Sequence, residues 1–323
     1  MMLCRLSGRA VLTLSGTDSF AFLQGLISND LSLLKSNKNG LLGSVFIGSD
    51  GRIQSDGLIC RNGESYIIET GAGNLKTLNQ LLRRRKLAAK VDYRVEEDCN
   101  VYGYIPRGVF NRVSPNADDT TPIHDAQKPS LEYASDIPFL NRTYAFGGPI
   151  CGVKDYTAIY RLHLALNGFG LTLANQLKDL KVLPQDLALH KIGFISKNKG
   201  CYVGQEIMNR VFNRTLAHKY QLNYLIRCDQ IEATETESES DIHLVNTAIS
   251  RVLTQLYGTN KTAKTIRRLV NRDAVECPAV VEETNVVPIV YYKTGFGLAL
   301  VAQRRRTKDM VVVSGSQHVC LPV

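Results

Sequence analysis

The sequence contains no tryptophan and only four methionines, and none of its cysteines pair at the Cys-x-x-Cys spacing used by zinc and dithiol redox sites. Its eight cysteines (Cys4, Cys60, Cys99, Cys151, Cys201, Cys228, Cys277 and Cys320) are scattered singly through 323 residues, which favours a reducing compartment over a disulfide framework. Long hydrophobic runs are missing too. Runs such as 10–14 and 295–302 fall far short of the roughly 20 residues a bilayer requires, so no membrane span is expected. No charged segment leads into an apolar stretch at the start, and patterned sequence begins by residue 9, leaving little room for a targeting peptide. His163, His190 and His218 lack the i, i+4 pairing that puts two imidazoles on one helix face, so no metal site is expected.

What is present is positive charge. The formal net charge is +9, part of it concentrated in Arg83-Arg84-Arg85-Lys86 and Arg304-Arg305-Arg306. Such a balance suits an anionic partner: a polyanionic small molecule, an anionic surface or nucleic acid. Each run also reads as a solvated face at the end of an element, and no aromatic-basic motif strengthens the nucleic-acid reading. With 44% hydrophobic residues, the chain is long enough for two or three domains.

Residues 9–14 form a β-type run. Ser15-Gly16-Thr17-Asp18 then supplies a turn and an N-cap, and Phe20, Leu23 and Ile27 follow at helical spacing, with a helix end expected near Ser28-Asn29-Asp30. Between residues 41 and 70 three strands are expected, 44–47, 52–60 and 65–70. Asp50-Gly51 and Asn62-Gly63 read as type I′ hairpin turns between them. Gly71-Ala72-Gly73-Asn74 opens a helix carrying Leu75, Leu78 and Leu82, with cations at its carboxyl end where the helix dipole favours them. Residues 107–150 read as long loops around short elements, 156–166 as a helix stopped by Asn167-Gly168, and the acidic stretch 229–241 as a surface loop. Strands at 286–292, 295–301 and 310–314 suggest a small β domain.

The chemistry concentrates in Lys199-Gly200-Cys201-Tyr202-Val203-Gly204-Gln205-Glu206. Gly200 and Gly204 allow positive φ and close backbone approach, and a neighbouring cation favours thiolate over thiol at Cys201. The same residues also suit a tight turn entering a helix at Gln205, with Cys201 a small buried hydrophobe.

This segment resembles the Lys-Gly-Cys-Tyr-x-Gly-Gln-Glu signature of the YgfZ-type folate-binding family, relatives of the glycine-cleavage T-protein. Residues 14–31, Asp50-Gly51-Arg52, Tyr160-Arg161-Leu162, 183–187 and Ile195-Ser196 also look like that family, so the likeness spans 9 to about 226 and touches 294–302 weakly. Two departures stand out. Arg214-Thr215 replaces the usual Arg-Gly pair, and His163 stands where T-proteins carry an acid, which weakens the case for aminomethyl transfer.

The resemblance implies an α+β, T-protein-like fold. An amino-terminal α+β folate-binding domain would occupy 1–110, completed by part of 150–226. A ferredoxin-like central domain carrying the signature would occupy 111–226, and a carboxyl-terminal β-barrel 227–323. It further implies bound tetrahydrofolate, polyglutamylated forms included, held at the pterin by Asp30 and Asn29 and at its carboxylates by Arg161. Tyr202, Gln205 and Glu206 would line the site, Cys201 would act as a thiol assisted by Lys199, and Gly200 and Gly204 would shape the loop. A carboxylate meets a pterin's donor edge through two charge-assisted bonds. The implied role is assembly or repair of iron-sulfur clusters, with client or assembly proteins as partners, in a bacterial cytoplasm or alternatively the mitochondrial matrix. A folate-dependent aminomethyltransferase and a basic RNA-binding protein are the competing readings. One cysteine cannot hold a cluster alone.

Overall fold

The computed structural model describes residues 2–37, 39–105, 130–135, 140–155, 157–167, 169, 181–213, 220–227, 286–291, 296–302, 310–313 and 316–322. The chain divides into two compact units, each drawn from discontinuous segments. The first combines Met1–Pro106, Asp119–Arg161 and Ala174–His218; the second combines Arg107–Asp118, Leu162–Leu173 and Lys219–Val323. The signature segment therefore belongs to the same unit as the amino-terminal hundred residues.

The first unit is organised by an antiparallel sheet. Strands β1 (Met2–Arg5) and β2 (Arg9–Ser15) lead into short helices α1 (Ser19–Gln24) and α2 (Leu33–Ser36), then the meander β3 (Leu41–Ile47), β4 (Ile53–Asn62) and β5 (Ser65–Gly71). Helix α3 (Leu75–Lys86) follows a 3-10 turn at Ala72–Asn74, and β6 (Asp92–Val95) and β7 (Asn100–Ile105) complete the segment. The sheet order is β3-β4-β5-β2-β6. One face presents Leu12, Leu14, Ile59, Tyr66 and Ile68 to Leu23, Ile27, Leu34, Leu78 and Leu82 from the helical side, a single buried cluster. Burying these side chains removes apolar area worth roughly 1.5–3 kcal/mol for each large residue. The opposite face is buried as well, so β4 and β5 are buried along nearly their whole length rather than at alternate residues, polar Ser55, Asp56, Glu69 and Thr70 included.

Two expectations need correction here. Helix α1 stops at Gln24, not near residues 28–30, because Ile27 bridges to Phe46 and the Ser28 amide donates to the Val45 carbonyl, drawing the chain onto β3. Neither hairpin is type I′. Gly51 (φ 75°) and Gly63 (φ 60°) take positive φ, but Asp50 and Asn62 do not, and Asn62 instead pairs with Ser65 as the last residue of β4.

The short elements expected within 107–150 include two strands. Strands β8 (Ser130–Tyr133) and β9 (Arg142–Ala145) join β1 and β7 in a second antiparallel sheet of order β1-β7-β9-β8. Helix α4 (Thr157–Leu166) falls where helical spacing placed it, and helix α5 (Gln205–Phe212) starts where the signature reads as a turn entering a helix. In the second unit, β10 (Tyr220–Arg227), β11 (Val286–Tyr291), β12 (Phe296–Ala302), β13 (Met310–Val313) and β14 (Ser316–Pro322) form a five-stranded antiparallel sheet of order β11-β12-β10-β14-β13. Pro288 sits at a register shift on edge strand β11, where a missing N–H is tolerated. No pairing closes this sheet into the expected barrel among the described residues. The acidic stretch 229–241, Gly168, Arg214-Thr215 and Arg304-Arg305-Arg306 lie outside the described residues.

Candidate functional site

The signature segment folds against the turn that leaves α1. The Ser196 amide donates to the Ser28 carbonyl (3.0 Å), the Ser28 hydroxyl to the Phe194 carbonyl (2.9 Å), and the Val203 amide to the Gly25 carbonyl (3.1 Å). Gly204, at φ 80°, precedes α5; a Cβ there would stand 2.4 Å from the Gly48 carbonyl and 2.9 Å from Ile47, so only glycine fits. Gly200 differs. A Cβ at that position meets nothing within 4 Å, so the close approach expected of both glycines is required only at Gly204.

Lys199 is the hub of this junction. Its buried ammonium donates to the carbonyls of Gln24 (2.6 Å), Ile27 (2.7 Å) and Asn29 (2.8 Å), and lies 4.8 Å from the centroid of the Tyr202 ring. An ammonium has three N–H donors, and these three carbonyls use all of them, leaving none for the Cys201 sulfur. Burial lowers the Lys199 pKa to about 8 while the Asp30 charge pulls it upward. The side chain therefore remains mainly a cation at neutral pH.

Asp30 is half-buried. Its Oδ1 accepts three hydrogen bonds, from the Gln24 amide (2.9 Å), the Ser32 backbone N–H (2.9 Å) and the Ser32 hydroxyl (2.7 Å). Burial alone would raise its pKa, but the Ser32 and Gln24 hydrogen bonds and the Lys199 charge leave it below the usual value. Its Oδ2 accepts none among the described residues, so a ligand donor has one oxygen to address rather than two. Asn29 is committed elsewhere. Its amide nitrogen donates to the Gly43 and Gly193 carbonyls (2.7 Å each) and its oxygen accepts the Asp30 amide, so both donors are spent on the fold.

Cys201 is exposed, between Lys199 and the buried Tyr202, whose hydroxyl pKa burial raises to about 12. Gln205 begins α5, and Glu206 forms a surface ion pair with Arg210 (2.7 Å). Arg161 is half-buried on α4, next to Tyr160, which enters a different cluster. Among the described residues no group of three or more His, Cys, Asp or Glu is placed to hold a metal ion.

No family model matches the chain. Over 220 residues it is 27% identical to the iron-sulfur cluster assembly factor IBA57 homolog, mitochondrial, of Pyricularia oryzae, a match covering 66% of this chain and 54% of that protein. Over 229 residues it is 25% identical to the tRNA-modifying protein YgfZ of Buchnera aphidicola, covering 66% of this chain and 70% of that one. This chain is a relative of IBA57 and YgfZ. It spans about half the length of the fungal IBA57 homologues it matches. In fold it resembles the glycine cleavage system aminomethyltransferase T of Bartonella henselae, with a TM-score of 0.59 at 12% identity, covering 99% of this chain and 84% of that one.

Sequence reasoning missed several residues of this relative of IBA57. Gly43 carries the Phe194 ring so closely that a Cβ would fall 2.3 Å from it, which helps seat the 193–204 segment on β3. Gln185 is buried, yet its side-chain amide makes no hydrogen bond among the described residues. Under the opposite face of the main sheet lies a charged cluster. Arg9 pairs with Asp56 (2.7 Å) and Glu69, Arg142 pairs with Glu69 (2.9 Å), and the Tyr144 and Tyr160 hydroxyls meet Glu69 and Arg142 respectively. The available signal was a charge inside an apolar strand, as at Glu69 in Tyr66-Ile67-Ile68-Glu69-Thr70.

Proposed function

We propose that this chain binds tetrahydrofolate and serves the assembly or repair of iron-sulfur clusters in client enzymes, with Cys201 as its working thiol. The observation that carries the reading is the junction itself: the signature loop is bound by side chain and backbone to the Asp30 turn, leaving Cys201 exposed beside it. The names of the IBA57 relatives support the cluster role, and the fold shared with an aminomethyltransferase supports a folate ligand.

The residues present fit such a ligand in part. Asp30 offers an ionised Oδ2 to a pterin N–H, a charge-assisted contact. The positive net charge attracts the carboxylates of a polyglutamyl tail, and Arg161 is the proposed carboxylate contact. Tyr202, Gln205 and Glu206 remain proposed lining residues, and Asn29 acts by shaping the turn. Tetrahydrofolate supplies a one-carbon acceptor when bound. The finer architecture, a ferredoxin-like element and a β-barrel, belongs to the same proposal. So does a mitochondrial location, which the names of the fungal relatives support.

The test is Cys201→Ala in cells, read as the activity of [4Fe-4S] enzymes at matched protein levels. Activities should fall, and unchanged activities would remove Cys201 from the proposal. Calorimetry with tetrahydrofolate on the parent chain and Asp30→Ala tests the ligand, with binding expected in the first and lost in the second. Methylene-folate formation from a lipoyl-bound aminomethyl donor would instead favour the transferase.

A further inference from the structure

Cys201 lies between two anchors on the same short stretch of chain. Two residues before it, the Lys199 ammonium holds the carbonyls of Gln24, Ile27 and Asn29; two residues after it, the Val203 amide holds the carbonyl of Gly25. That stretch ends in Asp30 and is tied to it twice more, since the Gln24 side chain donates to Asp30 Oδ1 and the Asp30 amide donates to Asn29 Oδ1. A lysine buried only to cap α1 would explain the contact with the Gln24 carbonyl. It would not explain the reach beyond the helix to Ile27 and Asn29, nor why the opposite charge acting on it, Asp30, lies in the same turn.

We propose that Lys199 is a positioning residue that couples the Asp30 turn to the Cys201 loop, so that a change of charge or occupancy at Asp30 alters the accessibility of the Cys201 thiol. The physical route is short. Asp30 stabilises the Lys199 cation, the cation holds three carbonyls in place, and the Lys199 backbone sets where the chain presents Cys201. Such coupling is reciprocal, so what happens at the thiol also biases binding at Asp30. The charge half rests on the hydrogen bonds that join Asp30 to Lys199 through Gln24 and Asn29, with the Asp30 charge acting on the ammonium in support, whereas the occupancy half rests on the folate reading above.

The experiment is iodoacetamide alkylation of Cys201 in the full chain, followed by peptide mass spectrometry with the other thiols as internal standards. It compares the parent, Lys199→Met, Asp30→Asn and the double variant, with circular dichroism confirming that each is folded. Asn at position 30 keeps an oxygen that can accept from Ser32 and removes the charge, with an NH2 group in place of the second carboxylate oxygen. Lys199→Met should speed alkylation by about fivefold or more, the lower end of typical inter-site coupling. Asp30→Asn should speed it in the parent and add nothing once Lys199 is gone. Equal acceleration by Asp30→Asn in both backgrounds, or no effect of Lys199→Met, overturns the coupling. If Lys199→Met folds poorly, Lys199→Gln, which keeps an amide donor, replaces it with a smaller acceleration expected.

Adding 5-formyltetrahydrofolate should change the Cys201 rate in the parent and not in the Lys199 variant. Equal protection in both means direct shielding and overturns the occupancy half. Absence of binding by calorimetry removes the folate reading and with it the occupancy half, while the ligand-free comparison still decides the charge half.

Discussion

Two buried cations in the first unit are neutralised in opposite ways. Arg142 is fully buried and faces full negative charge: Glu69 takes its Nε–H, and the Tyr160 hydroxyl and Asn141 carbonyl accept from its Nη1. Lys199 is nearly as buried but faces only carbonyl dipoles, with its counter-charge at the half-buried Asp30. In the first case opposite charges meet directly, although Arg142 Nη2 has no hydrogen-bond partner among the described residues, and the ion pairs suit an element that only has to hold two sheets together. In the second the cation orders the backbone while Asp30 Oδ2 and the Cys201 sulfur make no hydrogen bond among the described residues, as a binding or reactive site requires.

The largest expected effect comes from breaking the sealed side. Arg142→Met strands Glu69 without its main counter-charge and should cost about 3–5 kcal/mol in urea unfolding, the usual penalty for removing one partner of a buried pair. A loss below 1 kcal/mol would mean that the cluster is hydrated and not sealed. Acid sharpens the same contrast. Burial alone would raise the pKa of Asp56 and Glu69, but Arg9 and Arg142 outweigh it and hold both below their ordinary 3.8 and 4.5. The unfolded chain therefore binds protons first on acidification. The stabilisation from these carboxylates is complete above about pH 5 and is lost progressively as the pH falls through their folded values. Denaturant midpoints taken between pH 7 and pH 3 should show that fall, and Glu69→Gln should flatten it.

A smaller loss is expected on the open side from Gly204→Ala. Its Cβ must enter a space occupied by the Gly48 carbonyl at a φ of 80°, and such strain costs about 1–3 kcal/mol. Gly200→Ala, which meets nothing, should leave the melting temperature unchanged, so the pair of variants separates the two glycines of the signature. The smallest effect belongs to Glu206→Gln. It removes an exposed i, i+4 pair with Arg210 worth about 0.3–0.5 kcal/mol, and a larger change would assign Glu206 a partner beyond that helix.

Much of the first unit was legible in the sequence. The strands of the meander, α3 with Leu78 and Leu82 inward, and the turn glycines follow from periodicity and local backbone preferences, which act over a few residues. Strands β8 and β9 were hidden because each spans only four residues in a stretch rich in turn formers, and what makes them strands is pairing with each other and with β7. The end of α1 was misplaced for a related reason: Ser28 and Asn29 have the polar side chains of a helix terminus but spend them on β3 and the 193–194 backbone.

The candidate site shows the same division. By itself the sequence determined the signature segment, its likeness to the YgfZ-type family, and the presence of a thiol, a lysine and an acid that could matter. Only the tertiary structure decided that Lys199 spends its donors on carbonyls 170 to 175 residues away, that Asn29 has no donor left for a ligand, and that Arg142 and Glu69, 73 residues apart, neutralise each other out of water. The reason is that a charged group's state depends on its desolvation and on the partners that share its burial. Those partners come from distant parts of the chain, whereas turns and periodic faces are set by near neighbours.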